Sequence, residues 1–408
     1  TAKLLGDQDR SGLGVPGADL FHEHVHLTFR GNYVVAAGMA DEIFELLGMS
    51  DVSVPTIEQC ADDLALTPLD RYRLYASVAG LMRRAPFTNQ YDYLEKRKLV
   101  NQRVNALRAK GTSRAAIEHS LQTYRQALDR RPGDLALHQN YAQMLQETGA
   151  LVEAASEWKG LLERIPNTPA WRLALGTALS DQGAHRAALH EYRALQESMP
   201  GLVLPHIQIG YVLVSAGRIG EAIHVLREAL RINPGSIVAR LNVIALLEDV
   251  ELSEAADAAL DEGLAQVRDR GDQHAEADLL VGRSELLVRR EKWAEALPVL
   301  EEALTLYQAT RNVASEARTR LGIARAHKAK GDFEAATRWV DEGVAFCRSF
   351  ALYEAEAQFV LERALMAMDK GDLEVARSEI VAADGLYRSL SDRHPAIGKL
   401  ERLLEAIP

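Results

Sequence analysis

A constant 34-residue period runs through the middle of the chain. It is marked by four prolines, Pro132, Pro166, Pro200 and Pro234. Four alanines inside the same segments keep the same step: Ala154, Ala188, Ala222 and Ala256. A period of this length is typical of stacked helical hairpins, because one hairpin cannot bury its own apolar face and must pack on its neighbours. The period therefore predicts that most of the chain is a helical solenoid.

A longer, 40-residue period begins after Ala256. The matching alanines are then Ala296, Ala336 and Ala376. The six further residues predict longer helices, with the second helix of a unit running on and the first helix beginning early. We expect the turn between the two helices of each unit at Gly149, Gly183, Gly217, Glu251, Glu291, Gly331 and Gly371.

Each recurring residue type has a physical reason. Gly176 and Ala188 are small enough to let two helices approach closely. Gly183 permits the left-handed backbone that ends the first helix. Pro200 stops the second helix, because proline lacks the amide hydrogen that would continue it.

These units resemble the tetratricopeptide repeat. In one unit the matching positions are Trp171, Leu175, Gly176, Leu179, Gly183, Ala188, Tyr192 and Pro200. In the next they are Ile209, Gly210, Leu213, Gly217, Ala222, Leu226, Ala229 and Pro234. The 40-residue units are similar to the longer variant of kinesin light chains and bacterial regulators. The resemblance covers residues 101–390 and implies an all-α fold, a right-handed α-α superhelix that serves as a scaffold for protein or peptide partners.

We expect five parts along the chain, with helical caps at both ends of the repeats because terminal units need their apolar faces covered. They are an irregular N-terminal segment with a helix (1–50), a helical bridge (51–100), 34-residue units (101–270), 40-residue units (271–390) and a C-terminal capping helix (391–408). Within the bridge, Thr56 and Thr67 are expected to begin two helices, and Asn89 a third.

Composition limits the classes of ligand. A net charge of −11 argues against nucleic acid, whose phosphates require a basic face. Cys60 and Cys347 lie far apart in the sequence, which argues against a disulfide or a zinc site, and we expect no metal or cofactor. The sequence contains no run of 18 apolar residues, so it predicts no membrane-spanning helix. The compartment stays open, and so does the oligomeric state.

The residues before the repeats pair an acid with a histidine three positions later, Glu23 and His26, ahead of a polar turn and a helix. This pattern resembles the last sequence block of SGNH (GDSL-like) hydrolases and acyltransferases. The resemblance implies that His26 is the base for a serine nucleophile and that Glu23 orients its imidazole. Ser11 does not lie in the required glycine-aspartate-serine turn, so the serine would lie upstream and we expect this chain to hydrolyse nothing.

Two other interpretations of this segment remain open. His22, His24 and His26 alternate, so an extended backbone would place three imidazoles on one face as a metal triad. Alternate residues of a strand lie about 7 Å apart, which is a wide spacing for one ion. The three histidines are otherwise ordinary polar loop residues.

A binding surface is expected on the first helix of each unit, at positions not used in packing. By register these are Gln139, Gln143, Gln146 and Glu147, then Leu173, Thr177 and Asp181, then Ile207, Tyr211 and Val214, and then Leu241, Ala245, Glu248 and Asp249. Ile207, Tyr211 and Val214 are spaced to form one apolar stripe. None of these positions holds the lysine or asparagine with which chaperone-binding members of the resembled family clamp a carboxylate. A more basic surface around Arg325 and Lys328 is the second location.

Three functions follow from these observations. The first is an interaction scaffold that holds a protein or peptide partner in a groove. The second is the C-terminal part of an SGNH-like esterase or acyltransferase, and the third is a regulatory arm that senses a partner.

Overall fold

A computed structural model describes residues 28–49, 51–82, 93–350, 352–390 and 396–407. Within these residues the chain forms twenty α-helices and no β-strand, which confirms the prediction of an all-α fold. The chain divides into two compact units, Thr1–Leu137 and His138–Pro408.

The first unit contains five helices before the division. They are α1 (Phe29–Leu46), α2 (Ile57–Asp63), α3 (Pro68–Leu81), α4 (Tyr93–Gly111) and α5 (Arg114–Arg130). Thr56 and Thr67 begin α2 and α3 as predicted, because each hydroxyl accepts a hydrogen bond from the amide three residues on. Asn89 lies outside the described residues. The hydroxyl of Tyr33 on α1 donates to the carbonyl of Pro55 at 3.0 Å.

Fifteen helices follow, and the division between the units falls inside the first of them. The first eight are α6 (Leu135–Glu147), α7 (Leu151–Arg164), α8 (Pro169–Asp181), α9 (His185–Ser198), α10 (Val203–Ser215), α11 (Ile219–Ile232), α12 (Ile237–Asp249) and α13 (Ser253–Asp269). The others are α14 (Gln273–Arg289), α15 (Trp293–Ala309), α16 (Val313–Ala329), α17 (Phe333–Ser349), α18 (Tyr353–Asp369), α19 (Leu373–Leu390) and α20 (Ile397–Ala406).

The helices from α6 to α19 alternate between two roles. We call the even-numbered ones helices A and the odd-numbered ones helices B. From α6 to α12 each helix A has 13 residues, and helices B up to α11 have 14. From α13 to α18 every helix has 17 residues. The longer units therefore extend both helices, as predicted.

The connections change where the helices lengthen. Among the shorter units, a helix B is joined to the next helix A by four residues that include Pro166, Pro200 or Pro234. Among the longer units that linker has three residues and a left-handed backbone, at Gly271 (φ +66°) and Arg311 (φ +52°). Proline is no longer needed as a stop, because a left-handed residue ends the helix instead.

All seven predicted turns between helices A and B contain a left-handed residue at the predicted position. Five are glycines, for example Gly183 (φ +77°) and Gly331 (φ +87°). The other two are Glu251 (φ +60°) and Glu291 (φ +59°). The turn geometry is therefore the same with and without glycine, although a side chain makes it less favourable.

The alanine ladder marks the core of the second unit. Its members are fully buried, with an exposed fraction of 0%: Ala154, Ala188, Ala222, Ala256, Ala296, Ala336 and Ala376. A methyl group on Gly176 would lie 2.5 Å from Cε1 of Tyr192, so this glycine is required for the approach of α8 and α9. At the C-terminal end α20 packs Ile397 and Leu400 into the same core that contains Ala376.

Candidate binding surface on the helices A

One side of α10 is more exposed than the rest of its surface. In α10 the residues that pack against α9 and α11 are buried, among them Ile209 and Leu213. The more exposed residues are Leu204, Gln208, Tyr211 and Ser215. These four are spaced at i, i+4, i+7 and i+11 and so form one stripe along the helix. We call this stripe, and its counterparts one repeat before and one repeat after it, the inner face.

The structure corrects the predicted apolar stripe on α10. Ile207 is only 7% exposed and lies in the hydrophobic core, and Val214 is half-buried against that core. Only Tyr211 keeps a large exposed fraction, 43%. The predicted stripe was therefore rotated toward the core. The helical period fixes which residues share a side, but not how far a helix turns against its neighbours.

Tyr211 lies next to a residue that the sequence analysis did not include. The side-chain amide of Asn242 on α12 donates to the Tyr211 hydroxyl at 3.2 Å and to the carbonyl of Val238 at 2.8 Å. Asn242 is the sixth residue of its helix, as Gln208 is in α10 and Asn140 is in α6. Extending the 34-residue period to this position would have revealed these three amide side chains.

The glutamines of α6 are partly engaged. The oxygen of Gln139 accepts a hydrogen bond from Nε1 of Trp171 at 2.8 Å, and that of Gln146 accepts one from Nε1 of Trp158 at 3.2 Å. Gln143 is exposed and donates to Glu147 at 3.2 Å. The two tryptophans fix the amide oxygens of Gln139 and Gln146, so the NH₂ groups point away from those bonds.

On α8 the inner face consists of Ala170, Ala174, Thr177 and Asp181, of which only the last is charged. Leu173, which the sequence analysis placed on the binding surface, lies beside it. Leu173 is half-buried against the core. The hydroxyl of Thr177 donates to the carbonyl of Leu173 at 3.0 Å and lies 3.1 Å from the hydroxyl of Tyr192. Burial raises the pKa of Tyr192, and the negative charge of Asp181 adds to that rise. Asp181 itself is exposed, and among the described residues it forms no ion pair.

On α12 the acidic residues are neutralised within the chain. Glu248 accepts from both Nε and Nη2 of Arg290, at 2.8 Å and 2.7 Å. These hydrogen bonds lower the pKa of Glu248. Asp249 accepts from Arg289 at 2.6 Å. Leu241 and Ala245 are half-buried, and the Leu241 side chain fills the space that a methyl group on Gly282 would need.

The expected basic surface on the longer units is also neutralised. Nε of Arg325 donates to Glu362 at 2.8 Å, and Nζ of Lys328 donates to the other oxygen of Glu362 at 3.2 Å. Lys328 also lies 3.2 Å from Asp369. Glu362 is only 4% exposed. Both cations of this region therefore have acidic partners within the chain, and its role as a binding surface stays a prediction.

An open cavity of about 400 Å³ lies on α13, α14 and α15, where Leu286, Leu287 and Val299 contribute its apolar wall. The charged residues of its rim pair with one another: Arg283 with Asp261, Arg290 with Asp257, and Lys292 with Glu295. The cavity thus presents no unpaired charge to a ligand among the residues that line it.

The catalytic candidates Glu23 and His26 lie outside the described residues, as do His22 and His24. In the part of the chain that the structure describes, no group of three metal-ligating side chains could hold an ion. No helix of that part is both long enough and apolar enough to cross a bilayer.

Comparisons with known proteins find similarity to one family in two parts of the repeat region. Two sequence-family models, both described as tetratricopeptide repeat, match residues 275–349 and 206–236. Among solved structures, yeast Tom70 is similar at 12% identity with a TM-score of 0.52, covering 92% of this chain and 85% of that one. A tetratricopeptide repeat protein from Parabacteroides merdae is 15% identical over 70% of this chain and 98% of its own length, with a TM-score of 0.45.

A comparison with curated proteins found no match. One matched range lies among the shorter helices and the other among the 17-residue helices. The structural similarity to Tom70 concerns the fold alone. Residues 206–236 and 275–349 are therefore similar in sequence to the tetratricopeptide repeat, and the helical pairs around them have the same tandem arrangement.

Proposed function

We propose that this chain is a scaffold that binds a protein or peptide segment on the inner face of its shorter repeats. Tetratricopeptide repeats generally mediate interactions between proteins, and the inner face from α8 to α12 supplies the contacts for one. The observation that carries the proposal is a group of exposed apolar side chains on α10 and α12. Leu204 is 38% exposed, Tyr211 43% and Val238 51%. Large apolar side chains exposed on neighbouring helices are typical of a contact surface.

Polar groups beside this apolar group suit a peptide backbone. The Tyr211 hydroxyl and the Asn242 amide can each donate and accept hydrogen bonds, and Gln208 lies half-buried on the same stripe. Tyrosine combines apolar area with a hydrogen-bonding group at small entropic cost, which makes it common among residues that dominate binding energy. The surface can therefore hold an extended segment by its main chain and one apolar side chain.

The esterase alternative is not part of this proposal. The two matched ranges lie well after Glu23 and His26 and do not extend to either residue. We propose the scaffold function on the inner face alone.

The test is a binding measurement on a variant of Tyr211. Peptides selected from a random display library against the wild-type protein are measured by fluorescence anisotropy. Tyr211→Ala is expected to weaken them by about 1–2 kcal/mol, which is roughly a five- to thirtyfold loss of affinity. Val152→Ala is the matched control, since Val152 is 69% exposed on α7, a helix B.

Circular dichroism of both variants establishes that the fold is intact. Peptides that bind Tyr211→Ala and Val238→Ala as tightly as the wild type would place the binding surface elsewhere and refute the proposal.

A further inference from the structure

We infer that the partner of this inner face is an extended, positively charged segment that carries one apolar anchor residue. This inference rests on the proposed function and adds the chemistry of the partner. It follows from two features of the inner face of the shorter repeats, the exposed carboxylate of Asp181 and the lack of any cationic side chain.

The inner face carries no cation from α8 to α12. On α8 and α10 its residues are small, apolar or uncharged except for Asp181, at the end of α8. Arg172 on α8 is not available to Asp181, since it donates to Glu191 on α9 at 2.7 Å and to the carbonyl of Pro166. A partner segment would therefore meet a surface with a net negative charge, which favours a basic segment and disfavours an acidic one.

Asp249 has an arginine partner within the chain, whereas Asp181 has none among the described residues. The two are the last residues of α12 and α8 and stand two units apart in the sequence. Asp249 is paired with Arg289 on α14, the next helix A. The helix A that follows Asp181 is α10, which ends in Ser215 and offers no such arginine. A cation of the partner would take the place that Arg289 holds in the later unit.

The anchor and the cation have a definite separation. Adjacent packed helices lie about 9 Å apart. Asp181 is the thirteenth residue of its helix and Tyr211 the ninth, a difference of about 6 Å along the axis at about 1.5 Å per residue. This ideal helix geometry places the two backbone positions about 11 Å apart, which an extended chain covers in about three to four residues at about 3.3 Å each. The predicted partner has Lys or Arg three or four residues from a Leu or aromatic residue.

The test uses three labelled ten-residue peptides with the same single leucine and the same length. The charged positions, placed three and four residues from the leucine, are Lys in the first, Gln in the second and Glu in the third. Fluorescence anisotropy is measured with the full chain at low and at physiological ionic strength. We expect the Lys peptide to bind about tenfold more tightly than the Glu peptide, and the ratio to fall as salt rises.

Two single substitutions test whether Asp181 is the source of the preference for a positively charged peptide. Asp181→Asn should weaken the Lys peptide about three- to fivefold and leave the Gln peptide unchanged. Glu163→Gln is the matched control, since it removes the same charge from an exposed position on α7, and it should change neither peptide.

The measurements distinguish failure of the inference about charge from failure of the proposed binding surface. Equal or tighter binding of the Glu peptide, or no binding of any of the three, would overturn the inference about charge. If Tyr211→Ala still weakened the binding of library peptides roughly five- to thirtyfold, the proposed function would survive that result. Conversely, loss of binding in Asp181→Asn with no effect of Tyr211→Ala or Val238→Ala would support the charge preference and refute the proposed apolar surface.

Discussion

The shorter and the longer repeats of the second unit share their packing and differ in how the polar side chains of their helices A are used. Ala222 and Ala336 are both fully buried at equivalent positions of the ladder. On α10 of the shorter repeats, Tyr211 remains available at the surface. On α16 of the longer repeats, Arg325 and Lys328 are held by the buried carboxylate of Glu362. One packing scheme thus supports either an open surface or an internal ionic network.

This difference separates two kinds of polar residue on the helices A. A charged side chain that bridges successive helices A contributes to stability, whereas a polar side chain that ends at the surface is free to contribute to binding. The partner of a side chain, rather than its exposure or its charge, therefore distinguishes the two regions.

The largest expected effect tests what the regions share. Ala222→Leu in a shorter unit and Ala336→Leu in a longer one should each lower the free energy of unfolding by about 1–3 kcal/mol, because a fully packed helix crossing has no room for three more carbons. Urea unfolding monitored by circular dichroism measures both. Ala216→Leu and Ala329→Leu, at exposed positions, are the controls. Destabilisation in only one region would show that the ladder does not have the same role in both.

The next effect tests what the regions do not share. Glu362→Gln should lower the free energy of unfolding by about 1–2 kcal/mol, since it weakens hydrogen bonds to two cations at a buried site. Gln143→Ala, on the exposed side of α6, should change it by less than about 0.5 kcal/mol. Thermal and urea unfolding measure both. Equal effects of the two substitutions would remove the distinction between an internal network and an open surface.

The smallest effect concerns the turns. Gly331→Ala should lower the free energy of unfolding by about 1 kcal/mol, because a side chain disfavours the left-handed backbone that this position requires. Glu291→Gly should raise it by about 0.5 kcal/mol, since relief of that strain exceeds the added freedom of the unfolded chain. Differential scanning calorimetry compares the two variants. Stabilisation by Gly331→Ala would mean that the turn tolerates a side chain without strain.

Much of the fold could be predicted from the sequence, because a fixed period requires the same residue types at equivalent positions of every unit. Ala188 and Gly183 occupy the positions that burial and a left-handed turn demand, and both were found from the 34-residue step. Such positions can be recognised in a single sequence, since the same type of residue recurs at the equivalent position of each unit. The change to longer helices after Ala256 was visible for the same reason.

The inner face could be predicted only in part. Ile207 was placed on the surface, yet it is buried, because neighbouring positions on a helix differ by a rotation that depends on how successive helices pack. The ion pairs of Arg325 and Lys328 could not be predicted either, since their partner Glu362 lies in another unit. Contacts between units require the stacking geometry, which the period alone does not supply.

The equal lengths of the helices and linkers from α13 to α18 have a consequence for how the chain loses structure. The helices there begin at one constant interval, as Ser253, Gln273 and Trp293 do, so the linker lengths do not mark which helices form a pair. The packing does, because the contact is more extensive within α14–α15, α16–α17 and α18–α19 than between these pairs. In a solenoid, stability is a sum of intrinsic terms and nearest-neighbour terms. The shorter repeats alternate between three-residue and four-residue linkers, which defines a hairpin as their elementary step. In the longer repeats the same step is defined by packing instead of by linker length, so we expect α18 and α19 to lose structure together.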